Sequence, residues 1–316
     1  MGRNSESALI RVAALLLAGA GCVERPETRE TAQDPDARVI DDTEVTAPAP
    51  GYYTQVDASN PDALRSSLHA VIDDHTRQTY AQAWIVLERA DQHPDDANSI
   101  LDVYKNQSFP KPTGNSRPYT REHSWPKSYG FPDDVSSNYP YTDCHHLFLC
   151  DESYNFSRGN TPYDACPEAA CTEKETDENA GMGGTTRGSP QLDSNWRKGT
   201  HETGRWQTWI GRRGDVARAQ FYLDVRYGGG THGETGASEP DLILTNDLAL
   251  LDSLEENTDG EAHMGRLSTL LQWHRDDPVD DRERRRNDIV EEFQHNRNPF
   301  IDHPEWVDCV FEGDCD

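Results

Sequence analysis

The chain has 316 residues, of which 34% are hydrophobic and 28% charged, and its net charge is −27. That length suffices for one large domain or two small ones with a sizeable core, and the polarity indicates a soluble globular protein. The acid excess counts against a nucleic-acid partner, because phosphates would be repelled.

The elements follow in chain order. Arg3 and Arg11 flank the apolar run Val12 to Leu17, and small residues lead to Cys22. A charged start, a short apolar stretch and small residues before a cut site read as a signal peptide over 1–22, too short to span a bilayer. Cys22 after Ala20-Gly21 resembles a bacterial lipobox, in which the Cys takes a lipid, although Gly19 stands where Leu is usual. The expected location is therefore secreted or periplasmic, with a lipid on Cys22 as the only membrane attachment. Residues 23–50 are rich in Pro, Thr, Glu and Asp and read as a disordered acidic tether. Residues 51–316 form the expected folded domain, as a monomer.

Within that domain, Leu64, Leu68, Val71 and Ile72 recur at helical spacing after Asn60-Pro61-Asp62, a helix start. Tyr80, Trp84 and Leu87 predict a second helix, and Ser99 to Tyr104 a short strand. Pro110 to Pro118 reads as loop, and residues 164 to about 210 as a long loop region. Val216, Ala219, Leu223 and Tyr227 predict a helix opened by Asp215 and closed by Gly228-Gly229-Gly230. Leu267, Leu270 and Leu271, then Ile289, Val290 and Phe293, predict two more. No stretch has the period-2 regularity of a large sheet, so the class is α+β, a helix-rich single domain.

Seven Cys are present, and six remain beyond Cys22. An even number in an exported chain predicts three disulfides with no free thiol. Cys144 and Cys150 should not pair with each other: six residues span about 20 Å on a strand or about 9 Å along a helix. Cys309 and Cys315 can close locally around Gly313. No CxxC spacing suggests zinc.

Two blocks mix titratable and apolar residues: Arg121-Glu122-His123-Ser124-Trp125-Pro126, and Asp143-Cys144-His145-His146-Leu147-Phe148 running on to Asn155-Phe156-Ser157-Arg158-Gly159-Asn160. Buried polar groups must be paired, so the blocks are expected to meet. Phosphodiester hydrolysis needs a base for water and a cation for the growing charge, held with open positions. A neutral His suits the first and Mg²⁺ the second, with Glu122 and Asn155 supplying two oxygens. Adjacent strand residues point to opposite faces, so Glu122 and His123 can share a site only where the strand ends or bends.

These blocks resemble the bacterial endonuclease I family. That family has an Arg/Glu-His-x-x-Pro block, then Asp-x-His-Asn/His-Leu, an Asn twelve residues after the Asp, and Arg-x-Asn just beyond. The likeness extends through Gly214-Asp215-Val216, Leu270-Leu271-Gln272-Trp273-His274, Arg286-Asn287-Asp288 and Asn296-Arg297-Asn298-Pro299, over roughly 52–308. It implies a ββα-metal (His-Me finger) core and a metal-dependent endonuclease acting on DNA, and alternatively RNA, with little sequence preference. By carry-over His123 is the general base, Glu122 and Asn155 hold Mg (or Mn), and the products carry 5′-phosphate and 3′-hydroxyl ends. Arg121, Asp143, His145, His146 and Asn160 are supporting residues, and Asn296, Arg297, Asn298 and Asp302 a structural polar network. Some relatives place an Arg between the two blocks to steady the leaving phosphate. This chain has only Lys127 there, which leaves Arg158 as the candidate.

Residues 187–226 carry eight Lys or Arg against four acids, with Trp196, Trp206 and Trp209 among them. Arg212, Arg213, Trp206 and Trp209, with Lys127, are accordingly expected to line a nucleic-acid groove. The bland alternative is a solvated loop with its Trp in the core. A rival function is a non-catalytic exported surface lipoprotein that uses the same fold for binding. A zinc hydrolase is a third reading, but neither HExxH nor Gly-x-Ser-x-Gly occurs.

Overall fold

The computed structural model describes residues 46–114, 116–167, 169–177, 193–200, 203–251 and 261–315. The expected signal segment with Cys22, and residues 23–45 of the expected tether, lie outside them. Thr46 is already tied to the domain, its N–H donating to Asp288 Oδ2 at 2.7 Å.

Helix α1 (Pro61–Ile72) starts where the Asn60 side chain accepts from Ala63 N, and it buries Leu64, Leu68 and Ile72. Helix α2 (Tyr80–Ala90) opens with a Thr79/Gln82 capping box and buries Ala83, Val86, Leu87 and Ala90. Strands β1 (Gln92–His93), β2 (Asp96–Leu101) and β3 (Ser108–Pro110) form an antiparallel sheet. The strand predicted to reach Tyr104 stops at Leu101, because the Asp102 carboxylate accepts from Lys105 N and Asp151 N and turns the chain.

Strands β4 (Thr120–His123) and β5 (Leu147–Cys150) pair antiparallel, and helix α3 (Glu152–Arg158) follows at once, capped by Asp151. This is the expected ββα unit. β5 is buried on both faces: Leu147 and Leu149 join a core with α2, while Phe148 and Cys150 join the main core. A strand buried on both faces shows no apolar–polar alternation, which is why the sequence gives no strand signal there.

The region 164–210 read as loop holds a three-stranded antiparallel sheet of β6 (Thr172–Lys174), β7 (Asn195–Lys198) and β8 (Arg205–Gln207). Its strands are three or four residues long, below the reach of a periodicity signal. Helix α4 (Arg213–Arg226) follows, with every residue buried. β9 (Asp241–Leu244) and β10 (Glu261–Met264) then pair in parallel. Helices α5 (Leu267–Asp276), α6 (Asp281–Gln294), α7 (Pro299–Asp302) and α8 (Trp306–Glu312) complete the described elements. α4 packs between α1 and α5, and α2 against α6.

Two disulfides are formed, Cys166–Cys171 and Cys309–Cys315. The expectation of three is corrected: Cys144 and Cys150 are free and buried. Cys144 precedes β5, Cys150 ends it, and they face different cores, so they do not meet.

Candidate active site

β4 ends at His123, and side chains alternate to that point. Arg121 and His123 both lie against Tyr80, and Glu122 points the other way, to Tyr104. Helix α3 joins the two sides along β4. Asn155 Nδ2 donates to the Arg121 carbonyl at 3.1 Å. Arg158 Nη1 lies 3.2 Å from the His123 carbonyl oxygen and 3.4 Å from Glu122 Oε1, and Nη2 donates to the Ser124 carbonyl.

The His123 ring, 9% exposed, packs among Tyr80, Tyr141, Phe131 and His146. Its Nε2 is 2.9 Å from the Tyr141 carbonyl oxygen. A carbonyl only accepts, so Nε2 carries the hydrogen and Nδ1 keeps a lone pair that no described residue takes. Burial, helped by His146, pushes the ring's pKa well below its ordinary value, so it is neutral.

Glu122 is buried, and that burial raises its pKa to about 7 although Arg158 opposes the shift. Tyr104 OH donates to Glu122 Oε1 at 2.9 Å and lies 2.7 Å from Tyr163 OH. Tyr104 has one hydrogen to give, so Tyr163 donates to Tyr104 and a two-hydroxyl chain orients the carboxylate. Sequence reasoning missed both tyrosines. Neither lies in the two polar blocks, and only the fold brings them to Glu122.

The supporting residues fall into place around this centre. Asp143 accepts from Tyr222 OH, Tyr227 OH, Gln294 Nε2 and His145 N. His145 Nε2 bonds the Asn296 carbonyl and so ties the block to the C-terminal segment, while His146 Nε2 bonds the Pro140 carbonyl and holds the short turn Pro140–Thr142. Arg121 donates to the Tyr80 carbonyl and stacks on Tyr80 and Trp84. The Asn160 carbonyl accepts from Tyr129 OH at 3.1 Å. Arg297 is ringed by Asp288, Glu291 and Asp302, which ties the C-terminal segment to the core.

Three expectations need correcting. Arg158 is enclosed, with its donors on backbone carbonyls and its guanidinium over the Tyr163 ring. Its partners are the end of β4 and Glu122, which places it as a positioning residue and not on open surface. Trp206 and Trp209 are core residues: Trp206 packs on Tyr104, and Trp209 Nε1 donates to the Val103 carbonyl. Arg212 pairs with Asp215 in the interior, and Arg213 donates to the Thr208 carbonyl over the Trp273 ring. None of these four presents a groove wall. Lys127 differs: it is exposed, and its Nζ bonds Tyr141 OH at 3.0 Å, on the residue whose carbonyl holds His123.

The chain matches a family model described as Endonuclease I over residues 61–305. It is 38% identical over 264 residues to an extracellular ribonuclease of Bacillus subtilis (strain 168), covering 82% of this chain and 78% of that protein. An extracellular ribonuclease of Bacillus amyloliquefaciens is 36% identical over the same extent. With a ββα unit bearing the Glu-His pair on its first strand and the Asn on its helix, the chain belongs to the endonuclease I family.

Proposed function

We propose that the protein is an exported, metal-dependent nuclease that hydrolyses phosphodiester bonds in both DNA and RNA. One observation carries the reading: His123 Nε2 lies 2.9 Å from the Tyr141 carbonyl oxygen, which leaves Nδ1 as the base, at the end of the strand that also holds Glu122.

The donor set fits Mg²⁺. Asn155 commits its Nδ2 to the Arg121 carbonyl, which leaves Oδ1 as its uncommitted atom. Glu122 offers a carboxylate whose burial only one cation, Arg158, opposes. One carboxylate and one amide oxygen suit an ion that keeps several waters. Bound there, the ion would offset negative charge growing on the phosphate.

The chain's own groups do the rest. His123 Nδ1 accepts a proton from water as the water oxygen bonds phosphorus and the P–O3′ bond breaks, leaving a 5′-phosphate, while the departing 3′-oxygen takes up a proton from solvent. Nε2–H stays on the Tyr141 carbonyl, which steadies the imidazolium that forms. Lys127, the exposed cation nearest this ring's support, serves the phosphate oxygens in place of Arg158. Water as nucleophile makes no use of a ribose 2′-hydroxyl, so deoxyribose and ribose backbones are equally competent. The name ribonuclease on both relatives supports RNA as one substrate. Their description as extracellular, the two disulfides and the leader-like residues 1–22 support export.

The test is purified protein with plasmid DNA and with RNA, in Mg²⁺ or EDTA, followed by end analysis. Cleavage of both with 5′-phosphate ends, abolished by EDTA, is expected. Undiminished cutting in EDTA, or 2′,3′-cyclic phosphate ends, would refute the mechanism.

A further inference from the structure

Most Lys and Arg among the described residues are paired with acids. Arg65, Arg212, Arg218, Arg226, Arg266 and Arg297 each meet a carboxylate. Lys127, Lys174, Arg197 and Lys198 meet none among the described residues. Three of these four lie on β6 and β7. By register, Lys174 and Arg197 share a face with Asn195 and Trp206. That face packs on the site: Asn195 Nδ2 donates to the Tyr104 carbonyl, and Lys174 Nζ lies 5.3 Å over the ring of Tyr154, a residue of α3. Lys174, a cation left without a carboxylate, thus lies against the helix that carries Asn155, with Arg197 and Lys198 on the adjoining strand.

The outer face of α3 bears Phe156, 87% exposed and the most exposed large apolar side chain among the described residues. The helix that carries this ring is itself well anchored. Asp151 caps it, Ser157 Oγ donates to the Ser153 carbonyl, and Asn155 and Arg158 bind β4. At about 100° per residue, Phe156 stands between the Asn155 flank and, across the outer face, the Tyr154–Lys174 flank. Glu152, one turn earlier on the same face, is also exposed and repels phosphate. The outer face therefore suits a base, and its flanks suit the backbone.

We propose that Phe156 is a base-stacking platform for single-stranded nucleic acid crossing α3, with backbone phosphates falling to Lys174 and Arg197. The proposal rests on the nuclease reading for its substrate. It adds a preference: in a duplex the bases are already stacked and offer the ring no face, so single strands gain most.

A 4-thiouridine oligonucleotide irradiated with the protein in EDTA should crosslink to the peptide containing Glu152–Arg158, and Phe156→Ala should remove that crosslink. In turnover, Phe156→Ala should raise KM for a single-stranded oligonucleotide by about 5- to 150-fold, and for duplex by much less. Hydrolysis of bis(4-nitrophenyl) phosphate and the thermal midpoint should not change, and Phe156→Tyr should behave as wild type. Unchanged KM on single strands, crosslinks confined to other segments, or an equal loss on the small diester would each overturn the proposal. A wild-type protein that crosslinks at Phe156 but cuts nothing would refute the nuclease reading and leave this inference standing.

Discussion

Replacing Arg212 separates a groove cation from a core cation. Arg212 and Asp215 pair through Nη1 and Oδ2 with side chains 2% and 4% exposed. In Arg212→Ala the Asp215 carboxylate stays buried, with Arg282 as distant as 4.0 Å. Stranding one partner of such a pair costs about 3–5 kcal/mol. A domain of this size loses roughly 2 °C of midpoint per kcal/mol, so the melting temperature should fall by about 6–10 °C. The salt dependence of oligonucleotide binding should not change. Lys198→Ala should do the reverse: Lys198 has no bonded partner among the described residues, so its midpoint should hold. If Lys198 touches phosphate, the salt slope should become shallower by about 0.7–0.9. The assays are thermal unfolding by circular dichroism and binding titrations at several salt concentrations. An Arg212→Ala protein that melts like wild type but shows a shallower salt slope would refute the burial argument and return Arg212 to the nucleic-acid surface.

Further outcomes follow from the site and its surroundings. His123→Ala should lower turnover by about 10²–10⁴ on both plasmid and a small diester while oligonucleotide binding persists, and wild-type turnover would refute the base assignment. Tyr104→Phe removes a hydrogen bond to a carboxylate worth about 1.5–3 kcal/mol. Calorimetric Mg²⁺ affinity should drop by tenfold or more, whereas unchanged affinity would leave the hydroxyl chain a packing feature. Thiol titration should find Cys144 and Cys150 unreactive in the native protein and reactive on unfolding; ready native reaction would contradict their burial. Burial pushes His75 down to about 3 and His145 to about 4, both beside Asp143. The unfolded chain, with His near 6.5, therefore binds more protons at these two rings between pH 6.5 and about 4, and their contribution to stability falls by about 1.4 kcal/mol per pH unit for each ring as pH drops through that window, while Glu122 and Asp102, raised to about 7, act in the opposite sense. NMR titration of the folded protein checks the two rings directly: neither should take up a proton near pH 6.5, and a ring that does so would refute the burial argument.

What the sequence discloses of the site is what local chemistry writes into consecutive residues. Glu122 and His123 are adjacent, and Asn155 lies on the helix that directly follows β5, so a polar block amid apolar neighbours is enough to find them. Helix starts are legible for the same reason: Asn60, and Thr79 with Gln82, cap within three residues. Tyr104 and Tyr163 reach Glu122 from 18 and 41 residues away through the fold, and no local pattern marks them.

Charge is where sequence reasoning goes astray, and the cause is physical. A run of Arg amid Trp has the composition of a solvated phosphate track. It equally has the composition of a fully buried helix whose cations meet acids distant in sequence. Arg218 finds Glu283, 65 residues on, while Arg226 finds Glu239 and Asp73. Such a helix lacks an apolar stripe because it has no solvent face, so periodicity cannot flag its burial. The net charge of −27 therefore says little about the site. What a polyanion meets is the surface left after internal pairing, and among the described residues that leaves Lys127, Lys174, Arg197 and Lys198. An acidic chain can hold nucleic acid through uncompensated cations such as Lys174, which lies against the helix that carries Asn155, and salt screens more remote acids beyond roughly 8 Å.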